Sequence, residues 1–177
     1  KRINKAQWGT EYLPCVKAAE YRLSTKTKSV LPVYTFCMCP GGHVLSSGTS
    51  QKGLVTNGMS NYARNSPWSN SALVVTIKAG EDFEAAKPLE GLRYQRKIEE
   101  AAYELSKNVA TGRELPAMTV GEFLNKKLNE KPLPKTSCPS ALFKTNLWDL
   151  LPKRVAEELA RALGEFDEKL SGFAYAD

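Results

Sequence analysis

The stretch CMCPGGH, residues 37–43, holds two thiols, a thioether, a diglycine and the one histidine of the chain. Thiols this close could cycle through oxidation, hold a metal ion or supply a nucleophile, and each chemistry imposes a spacing. A thioredoxin-type redox motif and the knuckle of a zinc ribbon both need CxxC, whereas Cys37 and Cys39 form CxC. With only Cys15, Cys138 and His43 left to complete a ligand set, no metal site is expected. A cysteine nucleophile needs a base, and His43 lies four positions after Cys39. It follows a diglycine at the start of an expected strand, where nothing directs it at the thiol, so an ordinary histidine beside a turn is the preferred reading.

The same residues have a purely architectural reading. Pro40-Gly41-Gly42 fits a hairpin turn, with proline presetting φ and glycine supplying a positive φ. Cys37 and Met38 fit core packing, and spacing alone favours these readings over a site. Asn57-Gly58 is likewise a turn signal, while Asn57 and Ser60 offer donors and acceptors to a ligand. Neither GxGxxG nor GxxxxGKS/T occurs, so the loop and helix N-terminus that would hold a pyrophosphate are missing. Gly41-Gly42 would still let backbone approach a flat ligand closely.

The elements that must position these residues divide the chain in two. Short stretches of alternating or β-branched residues predict strands in AAEYRLST, VYTFCM, GLVTNGM and ALVVTIK, with Val33, Thr35 and Cys37 on one face and Tyr34, Phe36 and Met38 on the other. From Leu89 the period becomes helical, with a stripe of Tyr94, Ile98, Ala101, Leu105 and Val109 that Gly112 should close. Thr119 and Glu122 form a capping box opening a short helix through Phe123, Leu124 and Leu128. Pro132, Pro134 and Pro139 then make an extended connector. A turn at LWDLL leads to a last helix starting at Pro152, with Val155, Leu159, Leu163, Phe166 and Leu170 on one stripe. The expectation is an α+β fold: a strand-rich subdomain, 1–80, forming a small antiparallel sheet or barrel, and a helical subdomain, 81–177.

The 177 residues carry a net charge of +6 and are 42% hydrophobic and 25% charged, a balance that argues against disorder. Basic residues read as scattered and interleaved with Asp and Glu, so no nucleic-acid partner is expected. No apolar run reaches the roughly 20 residues of a membrane span. A cytoplasmic location with free thiols is the expectation. A chain opening at Lys1 reads as a piece of a longer one.

From Val33 onward, VYTFCMCPGGHVLSSGTSQKGLVTNGMSNYARNSPWSNSALVVTI, followed by LEGLRYQRKIEEAAYEL and LPKTSCPSALFKTNLWDLLP, resembles the signature of the uncharacterised FAD-dependent dehydrogenases, also called NAD/FAD-utilizing dehydrogenases. The resemblance implies a parent enzyme whose flavin-binding Rossmann-type domain is split in sequence, with this chain as the inserted substrate or lid domain between the halves. It implies FAD in that parent and none held by this piece alone. The implied partners are the FAD-binding domain of the same chain and an unidentified small-molecule substrate. Cys37 and Cys39 become candidate catalytic residues. Met38, Cys39, Pro40, Gly41, Gly42, Asn57, Gly58 and Ser60 become candidate flavin contacts in the full-length protein. The alternative is a non-catalytic interaction module using aromatics such as Trp8 and Trp68.

Overall fold

The structure is a computed structural model that describes residues 9–10, 22–25, 31–48 and 50–174. Cys15, Trp8 and the first half of the AAEYRLST strand, residues 18–21, lie outside the described residues.

Strand β1, Val33–Pro40, is flanked on both edges. On one side β4, Ser69–Val75, runs antiparallel in the register Val33↔Val75 to Phe36↔Ala72. On the other, Thr35 N–H donates to Leu23 O (2.8 Å) and Thr25 N–H to Val33 O (2.9 Å). The buried Thr35 hydroxyl accepts from Leu23 N–H at 2.9 Å, so no polar group there is stranded. Strand β2, Gly42–Ser46, pairs antiparallel with β3, Thr56–Ser60. Sheets of two paired strands, with no closed barrel among the described residues, make the strand-rich half. A pair not expected from the sequence, β5 (Leu115–Ala117) with β6 (Leu142–Lys144), is parallel. Pro116 is tolerated there because a two-stranded pair leaves an edge on which its missing N–H costs no ladder bond.

Two turn readings are corrected. Pro40-Gly41-Gly42 is no hairpin, because β1 and β2 do not pair with each other; the chain turns a corner at Gly41 and changes partner from β4 to β3. Asn57-Gly58 lies inside β3, opposite Leu45 and Val44.

Helix α1 spans Glu90–Ser106 and buries Ala102 and Ser106. Its expected stripe is therefore rotated: Leu105 is exposed, and Val109 lies beyond the helix end. The reason is that α1 packs through the turn containing Ala102 against Leu54 and Leu115. Helix α2, Val120–Asn125, has the expected capping box, with Glu122 N–H donating to Thr119 Oγ1 (3.3 Å) and Thr119 N–H to Glu122 Oε2 (2.9 Å). It ends before Leu128, at Lys126 in the left-handed region. LWDLL holds a single-turn helix, α3 (Leu147–Leu150), capped by Asn146. Helix α4, Lys153–Lys169, buries Val155, Ala156, Ala162, Leu163 and Phe166.

The core joins the halves. Leu23 and Val33 pack with Ala162 and Phe166 of α4, while Phe123, Ala156 and Leu163 hold the helices together. Arg154 adds a polar tie, pairing with Asp82 (3.1 Å) and Glu81 (2.6 Å) across the loop preceding α1. No helix among the described residues is long and apolar enough to cross a membrane.

Candidate functional site

The ladder between β1 and β4 breaks between Phe36 and Cys39 and resumes as Cys39↔Asn70 and Pro40↔Ser69. A bulge of this kind bends the strand and re-aims its side chains. Cys37 sits in it at φ 49° with its side chain exposed, so neither the expected alternation nor the core-packing reading extends to it. A non-glycine residue in the left-handed region is uncommon and tends to mark turns and functional sites. The Cys39 thiol, two residues on, turns back to the Cys37 carbonyl at 3.6 Å.

The corner brings most of the candidate residues together. Gly41 adopts φ 62°, and a Cβ there would lie 2.3 Å from the Arg64 carbonyl carbon. A Cβ on Gly42 would meet Cys39 Cβ at 2.5 Å and Met59 O at 2.7 Å. Gly58 faces Asn70 and the Cys39 thiol; its added Cβ would lie 3.3 Å from Sγ. Ser60 Oγ donates to Pro40 O at 2.9 Å and ties β3 to the corner. Asn57 stands apart, exposed, with Nδ2 near Met59 Sδ at 3.9 Å. His43, the second residue of β2, lies opposite Met59 and makes no hydrogen bond to Cys39 among the described residues.

These distances decide what the glycines do. The space that a Cβ would fill at Gly41 and Gly42 holds the chain's own Arg64, Cys39 and Met59 backbone, so the diglycine packs chain against chain and forms no open cradle for a pyrophosphate. Gly42→Ala must displace backbone on two strands and is expected to destabilise the fold by roughly 2 kcal/mol, measurable by urea denaturation; an unchanged midpoint would contradict this close packing.

Asn70 was not singled out by sequence reasoning. Asn70 pairs with Cys39 across the ladder and turns its Oδ1 toward Gly58, while its Nδ2 is buried with no hydrogen-bond partner among the described residues. Such an orphaned donor needs a physical explanation, and its only sequence signal was a polar residue at the head of a β-branched strand.

A second polar centre lies at α2. Glu122, almost fully buried, accepts from Thr119 N–H and Oγ1–H, from Asn129 N–H (2.9 Å) and from Lys144 Nζ (2.5 Å). Burial alone would push its carboxyl up; the hydrogen bonds from Lys144, Asn129 and Thr119 outweigh that and hold it at about 2. A neighbouring cavity of about 700 Å³ is lined by Gly121, Asn125, Leu128 and Lys131 among others. With both oxygens engaged and so low a pKa, Glu122 is a fixed anion at neutral pH, unsuited to general acid or base work. Among the described residues no three His, Cys, Asp or Glu side chains gather where they could hold a metal ion.

The family described as "FAD-dependent protein, C-terminal domain-like" matches residues 1–177. A protein of Clostridium beijerinckii, named only as an uncharacterized protein, is 36% identical over 178 residues, covering 99% of this chain and 33% of the relative. The chain thus spans about a third of the length of the relative it matches. The chain belongs to the family of FAD-dependent protein C-terminal domains.

Proposed function

We propose that this chain is the substrate or lid domain of an FAD-dependent oxidoreductase, inserted toward the C-terminal part of its parent, and that it packs over a flavin held by the rest of the polypeptide. Family membership across the whole chain carries the reading. The short coverage of the relative supports it, since the Gly41-Gly42 diglycine offers no open pyrophosphate cradle and the relative has further chain that could supply one. The strand-rich 1–80 and helical 81–177 portions act together as one such domain, through the shared packing of Val33 and Phe166.

In this reading the corner formed by residues 37–42 and strand β3 faces the flavin or substrate. The flavin, when bound, supplies hydride or electron transfer; the chain supplies position and water exclusion. Ser60 and the glycines hold the corner rigid, the bulge presents the Cys37 thiol outward, and Asn70, opposite Cys39 in the ladder, keeps an unspent donor. Cys37 and Cys39 are the candidate reacting groups, and Met38, Pro40, Gly41, Gly42 and Gly58 frame them, with Asn57 further along β3.

Alkylation tests this. Iodoacetamide should modify Cys37 of the full-length protein slowly when FAD is bound and severalfold faster once FAD is removed, because the exposed thiol would then lose its cover. Cys138, packed against Leu54, Ala102 and Leu115, serves as the internal control. Equal Cys37 rates with and without FAD would remove the corner from the flavin site. Cys37→Ser should slow flavin reduction without loss of bound flavin; unchanged reduction would end its catalytic candidacy.

A further inference from the structure

Charge is less evenly spread than its scatter along the sequence suggests. Residues 21–80 contain no Asp or Glu; of the chain's 25 basic residues six fall there, and the other nineteen match its 19 acidic residues one for one. Residues 21–80 alone therefore carry +6, and the rest of the chain sums to zero. Within it, Phe36 (57% exposed), Met59 (52%), Tyr62 (105%) and Trp68 (36%) stand out of the surface around the bulge and corner. Arg64 is exposed among them, with no acidic partner among the described residues. The loop carrying Tyr62, Arg64 and Trp68 is braced from within by Arg64 N–H to Asn61 O (3.0 Å) and Trp68 N–H to Ser66 Oγ (3.2 Å), and its base rests on Gly41.

Aromatic residues, methionine and arginine, without carboxylates and on braced backbone, are the composition of a docking hot spot rather than of a solvated face. The exposed leucines of α1 differ, since they stand among solvating pairs such as Glu90–Arg93 and Glu104–Lys107. We propose that the surface of Phe36, Met59, Tyr62, Arg64 and Trp68 docks this domain onto an acidic face of the FAD-bearing remainder of the same polypeptide. The partner's chemistry follows from the one-signed charge, and its place in the same chain from the relative's threefold greater length. The inference rests on the proposed function.

Hydroxyl-radical footprinting of the full-length protein tests it. Met59, Tyr62 and Trp68 should be labelled severalfold more slowly than their exposure here implies. Arg64→Glu should restore their labelling while leaving Leu92 on α1 unchanged, and high salt on the wild type should act in the same direction as that variant. Full labelling in the wild-type protein would overturn the docking surface. So would protection that grows with protein concentration, which would assign the face to a second copy, or protection of Tyr62 and Trp68 lost on FAD removal alone, which would assign them to the cofactor. Rim protection in a full-length protein that binds no FAD would sink the flavoprotein reading and leave the docking contact standing; bound FAD with a fully labelled rim would do the reverse.

Discussion

Glu122→Gln is expected to lower the thermal midpoint by roughly 10 °C at neutral pH, the scale of breaking a buried charge pair in a chain of this size. The substitution keeps the shape but strips Lys144 of its anion and turns an amide N–H₂ toward groups that, the Thr119 hydroxyl apart, are all donors. Lys144 would retain only the carbonyls of Asn129 and Lys131 and Asn129 Oδ1. The effect depends on pH with a defined sign. The folded carboxyl titrates at about 2, against 4.5 for the free group. A depressed pKa gives stability that is fully present above the unfolded value and lost as pH falls toward the folded one. Wild type and variant should therefore differ most above pH 4.5 and converge toward pH 2. Glu114, whose carboxyl is lowered chiefly by the Thr111 N–H, leaves the variant some acid sensitivity of the same sign. Melts of both proteins at neutral and acid pH give the answer, and coincident melts at pH 7 would refute the account of this network.

Phe166→Ala is expected to cost about 4 kcal/mol, the range for emptying a well-packed aromatic site. The ring is fully buried and meets Phe173 edge-on, with centroids 5.6 Å apart at 88°. It packs with Val33 of β1 and Leu23 as well as Ala162 of its own helix, so the cavity would open at the seam between strands and helices. Urea unfolding should remain a single transition at a lower midpoint. The exposed Leu124→Ala, by contrast, should stay within about 0.5 kcal/mol of wild type. A Phe166→Ala cost below about 1 kcal/mol would mean that the seam relaxes freely, contrary to close packing.

What could be read directly from the residues was local. The capping box of Thr119 and Glu122 and the stripe of Val155, Leu163 and Phe166 depend on neighbours within a turn or two of helix, and both stand in the structure. The strands between Val33 and Val75 and the α+β division were legible for the same reason, from alternation and β-branched runs. What failed depends on distant partners. Alternation in β1 stops at Cys37 because Asn70 and Ser69 re-enter the ladder out of step. The glycines at 41, 42 and 58 looked like turn formers, but their roles are set by Arg64, Met59 and Asn70, residues 12 to 23 positions away that no local rule connects to them. Likewise α1 buries Ala102 and Ser106 where Leu54 and Leu115 happen to lie, not where its own periodicity is most apolar. The acid-free stretch was visible in the sequence; it becomes meaningful once the exposed rim of Phe36, Met59, Tyr62 and Trp68 is seen to lie within it.

The central claim is that the corner of residues 37–42, with strand β3, covers a flavin supplied by the rest of the polypeptide. The most direct measurement is an experimental structure of the full-length protein with FAD bound. The account predicts the Cys37 thiol, the bulge and β3 lining the cavity over the isoalloxazine, with Tyr62 and Trp68 buried against the flavin-bearing part. A flavin bound elsewhere, with that corner open to solvent, would contradict it.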